Sequence, residues 1–286
     1  MPLALRVRPN IALRLDVSVS WEFDKLVGRT LRIVSTALVV AAILWRPEIG
    51  PAGSARDALP GIVGGDDRLP LDRADWPWHA LGRVNQGTGA HCTGTLIAPD
   101  AVLTAAHCLF HARTGRPLQP HELHFVAGYR RGDYLAHARG QALRLSPAYR
   151  HRESPTLAEI AEDWAIIEID RSLAIRPIPV RALPADGKVP NGRLQRAGYS
   201  QDRAHLLSIH DGCDLRGLLA GGRVLLTDCD GTRGDSGSPV LLREGERVWL
   251  VGVSSAAIEQ GSEEGGLAVH AAAFIDRLAP GEEGAN

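Results

Sequence analysis

Beyond residue 61 the chain is a succession of short apolar runs, at residues 95–97, 101–104, 123–126, 164–169, 223–226, 240–242 and 248–254, separated by clusters of Gly, Pro, Asp or Asn. Runs of this length between turn-forming residues mark strands rather than helices. The pattern predicts an all-β protein. Only the far end differs: within residues 270–278, Ala273, Phe274 and Leu278 fall on one helical face, which predicts a short closing helix. Residues 177–190, with Pro177, Pro179, Pro184 and Pro190, read as a crossing between two halves, each holding one pair of cysteines.

The first 60 residues follow another pattern. Residues 33–45 carry no charge, follow Arg29 and Arg32, and are closed by Arg46 and Pro47. This stretch is shorter than the ~20 residues that a bilayer span needs and fits the apolar region of a signal peptide. Gly53, Ser54 and Ala55 supply small residues for its cleavage, so residues 1–55 are expected to be a signal peptide or leader, and the protein to be secreted or periplasmic. A membrane becomes a partner only where the leader stays uncut and residues 33–45 act as an anchor. Further upstream, Ile11, Leu13, Leu15, Val17, Val19, Trp21 and Phe23 alternate as in a strand, with no function attached.

Composition narrows the choice of partners. Lys+Arg number 32 against 33 Asp+Glu, so no global field favours nucleic acid or anionic lipid. At 286 residues and 44% hydrophobic content the chain is long enough for a large core. The four cysteines, Cys92, Cys108, Cys213 and Cys229, lack C-x-x-C spacing, which favours disulfides over a zinc ribbon. Residues 121–124 do not make the H-E-x-x-H zinc pattern, and neither a metal nor another cofactor is expected.

The candidate chemistry centres on Ser236, within G-T-R-G-D-S-G-S-P-V. A serine hydroxyl is a poor nucleophile until a base accepts its proton and a third group fixes that base. His107, in T-A-A-H-C, and Asp163, at the head of the apolar run D-W-A-I-I, are the available partners. Burial at a strand head suits an acid that holds an imidazole in one tautomer and stabilises its cation. Each residue alone would pass as structural; together they stand in the order His, Asp, Ser, one of the known triad orders.

These motifs, with I-V-G-G at residues 62–65, C-T-G-T-L-I…T-A-A-H-C at 92–108 and G-D-S-G-S-P at 234–239, resemble the trypsin/chymotrypsin-like serine proteases, especially compact bacterial ones, over residues 62–278. The resemblance implies two six-stranded antiparallel β-barrels packed perpendicular, about 62–174 and 175–286, with residues 56–61 a short propeptide. It implies an exported endopeptidase acting on protein or peptide substrates through an acyl-enzyme. Ser236 is then the nucleophile, His107 the base and Asp163 its orienter, with the amides of Gly234 and Ser236 as the oxyanion hole. It pairs Cys92 with Cys108 and Cys213 with Cys229, although four cysteines leave three connectivities open. It also makes the chain a zymogen in which an activating protease cuts before Ile62 and the new ammonium pairs with Asp235. Gly61 and Pro60 precede that point, where a tryptic activator requires Arg or Lys.

Around the substrate pocket the resemblance places Asp230, Ser254, Ala256 and Gly266. Asp230 stands where an acid selects Arg or Lys at P1, although Cys229 and Thr232 depart from the usual cysteine arrangement. Two alternatives accompany this reading. An esterase elbow wants G-x-S-x-G, and Ser238 occupies its last glycine position. A catalytically silent binding protein on the same fold would not need the three residues intact.

Overall fold

The computed structural model describes residues 59–278 apart from 74, 190–192 and 261–262. The expected leader with its cleavage site, and residues 56–58 of the expected propeptide, lie outside the described residues. Among those described, no helix is long and apolar enough to cross a membrane.

Among the described residues, fourteen strands carry the fold. Six of them, β2 (Leu81–Gln86), β3 (His91–Ala98), β4 (Ala101–Thr104), β5 (Leu123–Ala127), β6 (Ala136–Leu145) and β7 (Ala165–Ile169), close an antiparallel barrel in the order β2-β3-β4-β7-β6-β5. Its strands bring Leu81, Leu96, Leu103, Leu123, Phe125, Ile166 and Ile167 into the core, all essentially inaccessible. Gly82 and Gly94 pack so closely over Phe125, Val84 and Val102 that a Cβ at either would fall within 2.7 Å of a neighbour. Closure removes every free edge from this half.

The second half is an eight-stranded sheet in the order β1-β9-β8-β12-β13-β14-β11-β10. It contains β8 (Arg193–Gly198), β9 (Leu207–Cys213), β10 (Leu215–Leu219), β11 (Val224–Thr227), β12 (Pro239–Glu244), β13 (Arg247–Gln260) and β14 (Glu263–His270). The remaining member, β1 (Leu69–Leu71), comes from the N-terminal segment and pairs antiparallel with β9. The overall fold is the expected mostly-β, chymotrypsin-like double barrel. The second sheet exceeds the anticipated six strands because β1 is donated by the first half of the sequence and β10 folds back on β11.

The closing helix takes a different form. Residues 271–273 and 275–277 are two 3-10 turns, interrupted at Phe274 with φ −139. This break drives the Phe274 ring into the core beside Trp164, 5.7 Å between centroids. Among the described residues the only α-helical turn is α1 (Leu157–Ile160). Thr156 caps it by accepting from the Glu159 amide while Glu159 reaches back to the Thr156 amide, a capping box.

Candidate active site

His107 sits in a 3-10 turn (Ala106–Leu109) directly after β4. The flanking Ala105 and Ala106 are fully buried, and Cys108 is bonded to Cys92 on β3, so the backbone beside the imidazole is fixed on both sides. Asp163 follows α1 and precedes β7; Ile160, Ala161 and Trp164 bury it until only 5% of its surface is exposed. The two residues meet through two bonds. The His107 amide donates to Asp163 Oδ1 at 2.8 Å, and His107 Nδ1 lies 2.6 Å from Oδ2. A carboxylate only accepts, so Nδ1 carries the proton and Nε2 is left as the basic nitrogen.

A third group completes this arrangement. Ser255 Oγ donates to Asp163 Oδ2 at 2.5 Å. In β13 the register shifts between Ser254 and Ala256, which pair with Ala268 and Leu267, so Ser255 is the extra residue of a bulge. A bulge redirects one side chain out of the strand's alternation, and here it turns Ser255 toward the acid. Ser255 is not among the site residues expected from the sequence, although its neighbours Ser254 and Ala256 are; nothing in the residue string signals the bulge.

The charges settle accordingly. Burial pushes the His107 pKa down, but the Asp163 charge and hydrogen bond outweigh it and hold the imidazole above its ordinary value. Burial raises the Asp163 pKa, and the His107 charge, with hydrogen bonds from His107 and Ser255, brings it below the usual carboxylate range. The pair therefore favours a charged imidazolium over a buried carboxylate.

Ser236 lies on the loop between β11 and β12. Gly234 and Gly237 have φ of +90 and +80, which only glycine adopts without strain. A Cβ at Gly237 would lie 2.2 Å from Thr104 Oγ1, and one at Gly234 2.6 Å from the Tyr199 carbonyl. The loop is tied to β3, where the Thr93 amide donates to the Ser236 carbonyl at 2.9 Å and Thr93 Oγ1 to the Gly234 carbonyl at 3.1 Å. Among the described residues the amides of Gly234 and Ser236 donate no hydrogen bond, and Ser236 Oγ has no partner, His107 included. Ser236 borders one cavity and His107 with Asp163 a second, and both cavities share Ser255 and Ala256 as a wall.

The cavity beside Ser236 is about 190 Å³ and is lined by Ser254, Ala256 and Gly266, with Thr227 and Arg196. Asp230 does not line it. Its carboxylate is fully buried and accepts from the amides of Val63 and Asp67, each at 2.8 Å. Asp235 and Ile62 are likewise not brought together. The Ile62 amide donates to the Leu59 carbonyl at 3.3 Å, whereas the Asp235 carboxylate meets Arg196 Nη2 at 3.2 Å, Arg68 Nη1 at 3.9 Å, Ser200 Oγ at 2.6 Å and the Thr232 amide at 2.9 Å. Sequence reasoning missed Arg196 and Arg68. An arginine within the strand-like stretch L-Q-R-A-G is a signal only once that strand is known to be central.

Both cysteine pairs form as the resemblance implied, Cys92 with Cys108 and Cys213 with Cys229. Among the described residues, three potential metal ligands gather only at Cys92, His107 and Cys108. The two sulfurs are bonded to each other, so no thiolate is available there.

A mostly-β, double-barrel protein with a hydrogen-bonded His-Asp pair on one half and a glycine-flanked serine on the other has the architecture of the chymotrypsin-like fold. Sequence comparison agrees: the trypsin family profile matches residues 62–278, and the chain belongs to the trypsin/chymotrypsin-like serine protease family. It is 39% identical to chymotrypsin-C of Bos taurus over 88 residues, and 38% identical to chymotrypsin-like elastase family member 3B of Homo sapiens over 86. These matches span 30% and 29% of the chain, and the same shares of the two relatives' lengths. Among solved structures, a Glu endopeptidase in complex with MPD superposes with a TM-score of 0.61 at 20% identity, covering 75% of this chain and 96% of that one. Vibrio cholerae VesB protease does so with a TM-score of 0.57 at 19% identity, covering 74% and 65%. At such identities these structures speak for the fold alone.

Proposed function

We propose that the protein is an exported serine endopeptidase that hydrolyses peptide bonds through an acyl-enzyme. The observation that carries this reading is the doubly bonded His107 and Asp163, which leaves Nε2 as the basic nitrogen, in a cavity that shares Ser255 and Ala256 with the one Ser236 borders. Ser236 Oγ attacks the scissile carbonyl and gives its proton to His107 Nε2; His107 then returns it to the leaving amine, and water repeats the cycle on the ester. The unbonded amides of Gly234 and Ser236 receive the oxyanion; one such donor contributes on the order of 3 kcal/mol in the transition state. Two disulfides support an extracellular or periplasmic location.

The Asp235 pairing supports a further element of this reading. The buried cation that the loop requires is already present as Arg196, 6% exposed, with Arg68 behind it, so the oxyanion loop is formed while residues 59–62 are still joined. A preference for Arg or Lys at P1 rested on Asp230, whose carboxylate is turned to Val63 and Asp67 and does not line the cavity; the wall instead carries Thr227 and Ser254 beside the apolar Ala256, Ala257 and Leu267. Ser236→Ala tests the central role. It is expected to fold as the parent does and to lose about 10⁶-fold in peptide turnover; unchanged turnover would remove Ser236 from the mechanism.

A further inference from the structure

Two buried acids flank the substrate cavity, and their surroundings differ. Asp235 is saturated by Arg196, Arg68, Ser200 and Thr232. Its remaining oxygen, Oδ1, has no hydrogen-bond partner, but it is wedged against Gly198, where even a Cβ would lie 2.5 Å away. No ammonium fits on that side.

Asp230 has no Lys or Arg partner for its carboxylate among the described residues; a titratable neighbour is His210 on β9, whose Nδ1 lies 3.4 Å from Oδ2. The same Nδ1 accepts from the Asp230 amide at 2.9 Å. The other charged groups around this pair are Asp67 from the N-terminal segment and Asp228 on the adjoining loop, both acting on His210. Arg196, from β8, binds the Asp230 carbonyl and not its carboxylate.

The N-terminal segment runs along this acid. The Gly231 amide donates to the Gly61 carbonyl at 2.9 Å, and Val63 and Asp67 donate to the two Asp230 oxygens. Gly61 has φ +82, and a Cβ there would lie 2.1 Å from the Gly231 carbonyl oxygen. That contact explains why a glycine, and not Arg or Lys, precedes Ile62. Pro60 lines the substrate cavity.

We propose that Asp230 is a positioning residue that holds residues 62–67 against the cavity wall, and that where the chain is cut before Ile62 it is Asp230, not Asp235, that receives the new ammonium. Hydrolysis of the Gly61 to Ile62 bond consumes one water and leaves a carboxylate on Gly61 and an amine on Ile62, which takes up a proton at neutral pH. The agent is a protease that accepts glycine at P1. The amine lies one residue from Val63, which already touches Asp230, so a local rotation about Ile62 brings the ions together. Pairing with Asp235 would instead require expelling Arg196. Cleavage thus tightens the cavity wall and leaves the oxyanion loop as it was. The inference rests on the peptidase reading only for its bearing on turnover; its test does not use activity.

The test takes the full chain with Gly61 and Pro60 kept, cuts it before Ile62 with a protease that accepts glycine at P1, and compares it cut and uncut. In the cut form, carbamylation of the Ile62 amine by cyanate, followed by mass spectrometry, should be slowed at least about ten-fold relative to a free peptide, the equivalent of one pKa unit. Asp230→Asn should abolish this protection and Asp235→Asn should retain it. The reverse pattern, or a parent amine as reactive as the peptide, would overturn the proposal. Should Asp230→Asn not fold, the parent itself suffices: NMR titration should show the His210 pKa lowered on cutting, because the ammonium shares Asp230, and an unchanged His210 titration would contradict the assignment.

Discussion

The two halves of the site are held in different ways. On the first barrel, His107 and Asp163 are fixed by two direct bonds, a third from Ser255 and the neighbouring Cys92–Cys108 disulfide. On the second sheet, the Ser236 loop is held by a buried ion cluster assembled from distant segments, with Asp235 meeting Arg196 from β8 and Arg68 from the N-terminal segment. Arg68 is in turn bonded to Asp66 and Asp202, and Arg203 to both. His107 is therefore positioned by short-range hydrogen bonding, and the Ser236 loop by long-range charge neutralisation. Damage to the first half should appear in chemistry, and damage to the second in stability.

The sharpest separation is expected from Asp163→Asn. The imidazole loses its correct tautomer, and turnover should fall by about 10⁴-fold, far more than the accompanying loss of the pair's stabilisation would explain; a retained rate would show that Asp163 does not orient the base. Arg196→Met should do the opposite. It leaves Asp235 buried with only the more distant Arg68, a change that costs about 3 kcal/mol at the lower end of the range for a broken buried pair, readable by urea unfolding. Ser255→Ala removes one hydrogen bond to a charged group, with an expected loss of about 1.5 to 3 kcal/mol and a smaller fall in turnover than Asp163→Asn.

The smallest effects lie in pH dependence. His107 must be neutral to accept a proton, and Asp163 holds its pKa up, so the acid limb of turnover should have its midpoint above the ordinary value of about 6.5. Ser255→Ala should move that limb only slightly. In stability the two groups have opposite signs. The lowered pKa of Asp163 gives a contribution complete above about 3.9 and lost as pH falls through the folded value; the raised pKa of His107 gives one complete below about 6.5 and lost as pH rises through the folded value. Unfolding measured across pH should show both flanks in the parent and neither in Asp163→Asn.

Much of this was legible in the residue string, and the omissions have physical causes. β4 was readable to the residue, and β3, β5, β7, β11, β12 and β13 in part, because their apolar runs are bounded by turn formers. β6 (A-H-A-R-G-Q-A-L-R-L) was not, since small alanines and long polar side chains blur its alternation. β8 was hidden for a related reason: Gln195 and Arg196 are buried by hydrogen bonds and an ion pair, not by apolar packing. His107, Asp163 and Ser236 stood out through local motifs. Ser255 depends on a bulge, and the partners of Asp235 and Asp230 depend on where segments more than a hundred residues away come to rest.

The central claim is that a buried arginine, and not a new amino terminus, forms the oxyanion loop. It is tested most directly by fluorophosphonate labelling of the purified chain while residues 59–62 are still joined, with the amino terminus and the labelled residue both read by mass spectrometry. The account predicts one label per chain, on Ser236, at the same rate before and after cutting at Ile62. A chain inert until that cut and reactive afterwards would contradict it.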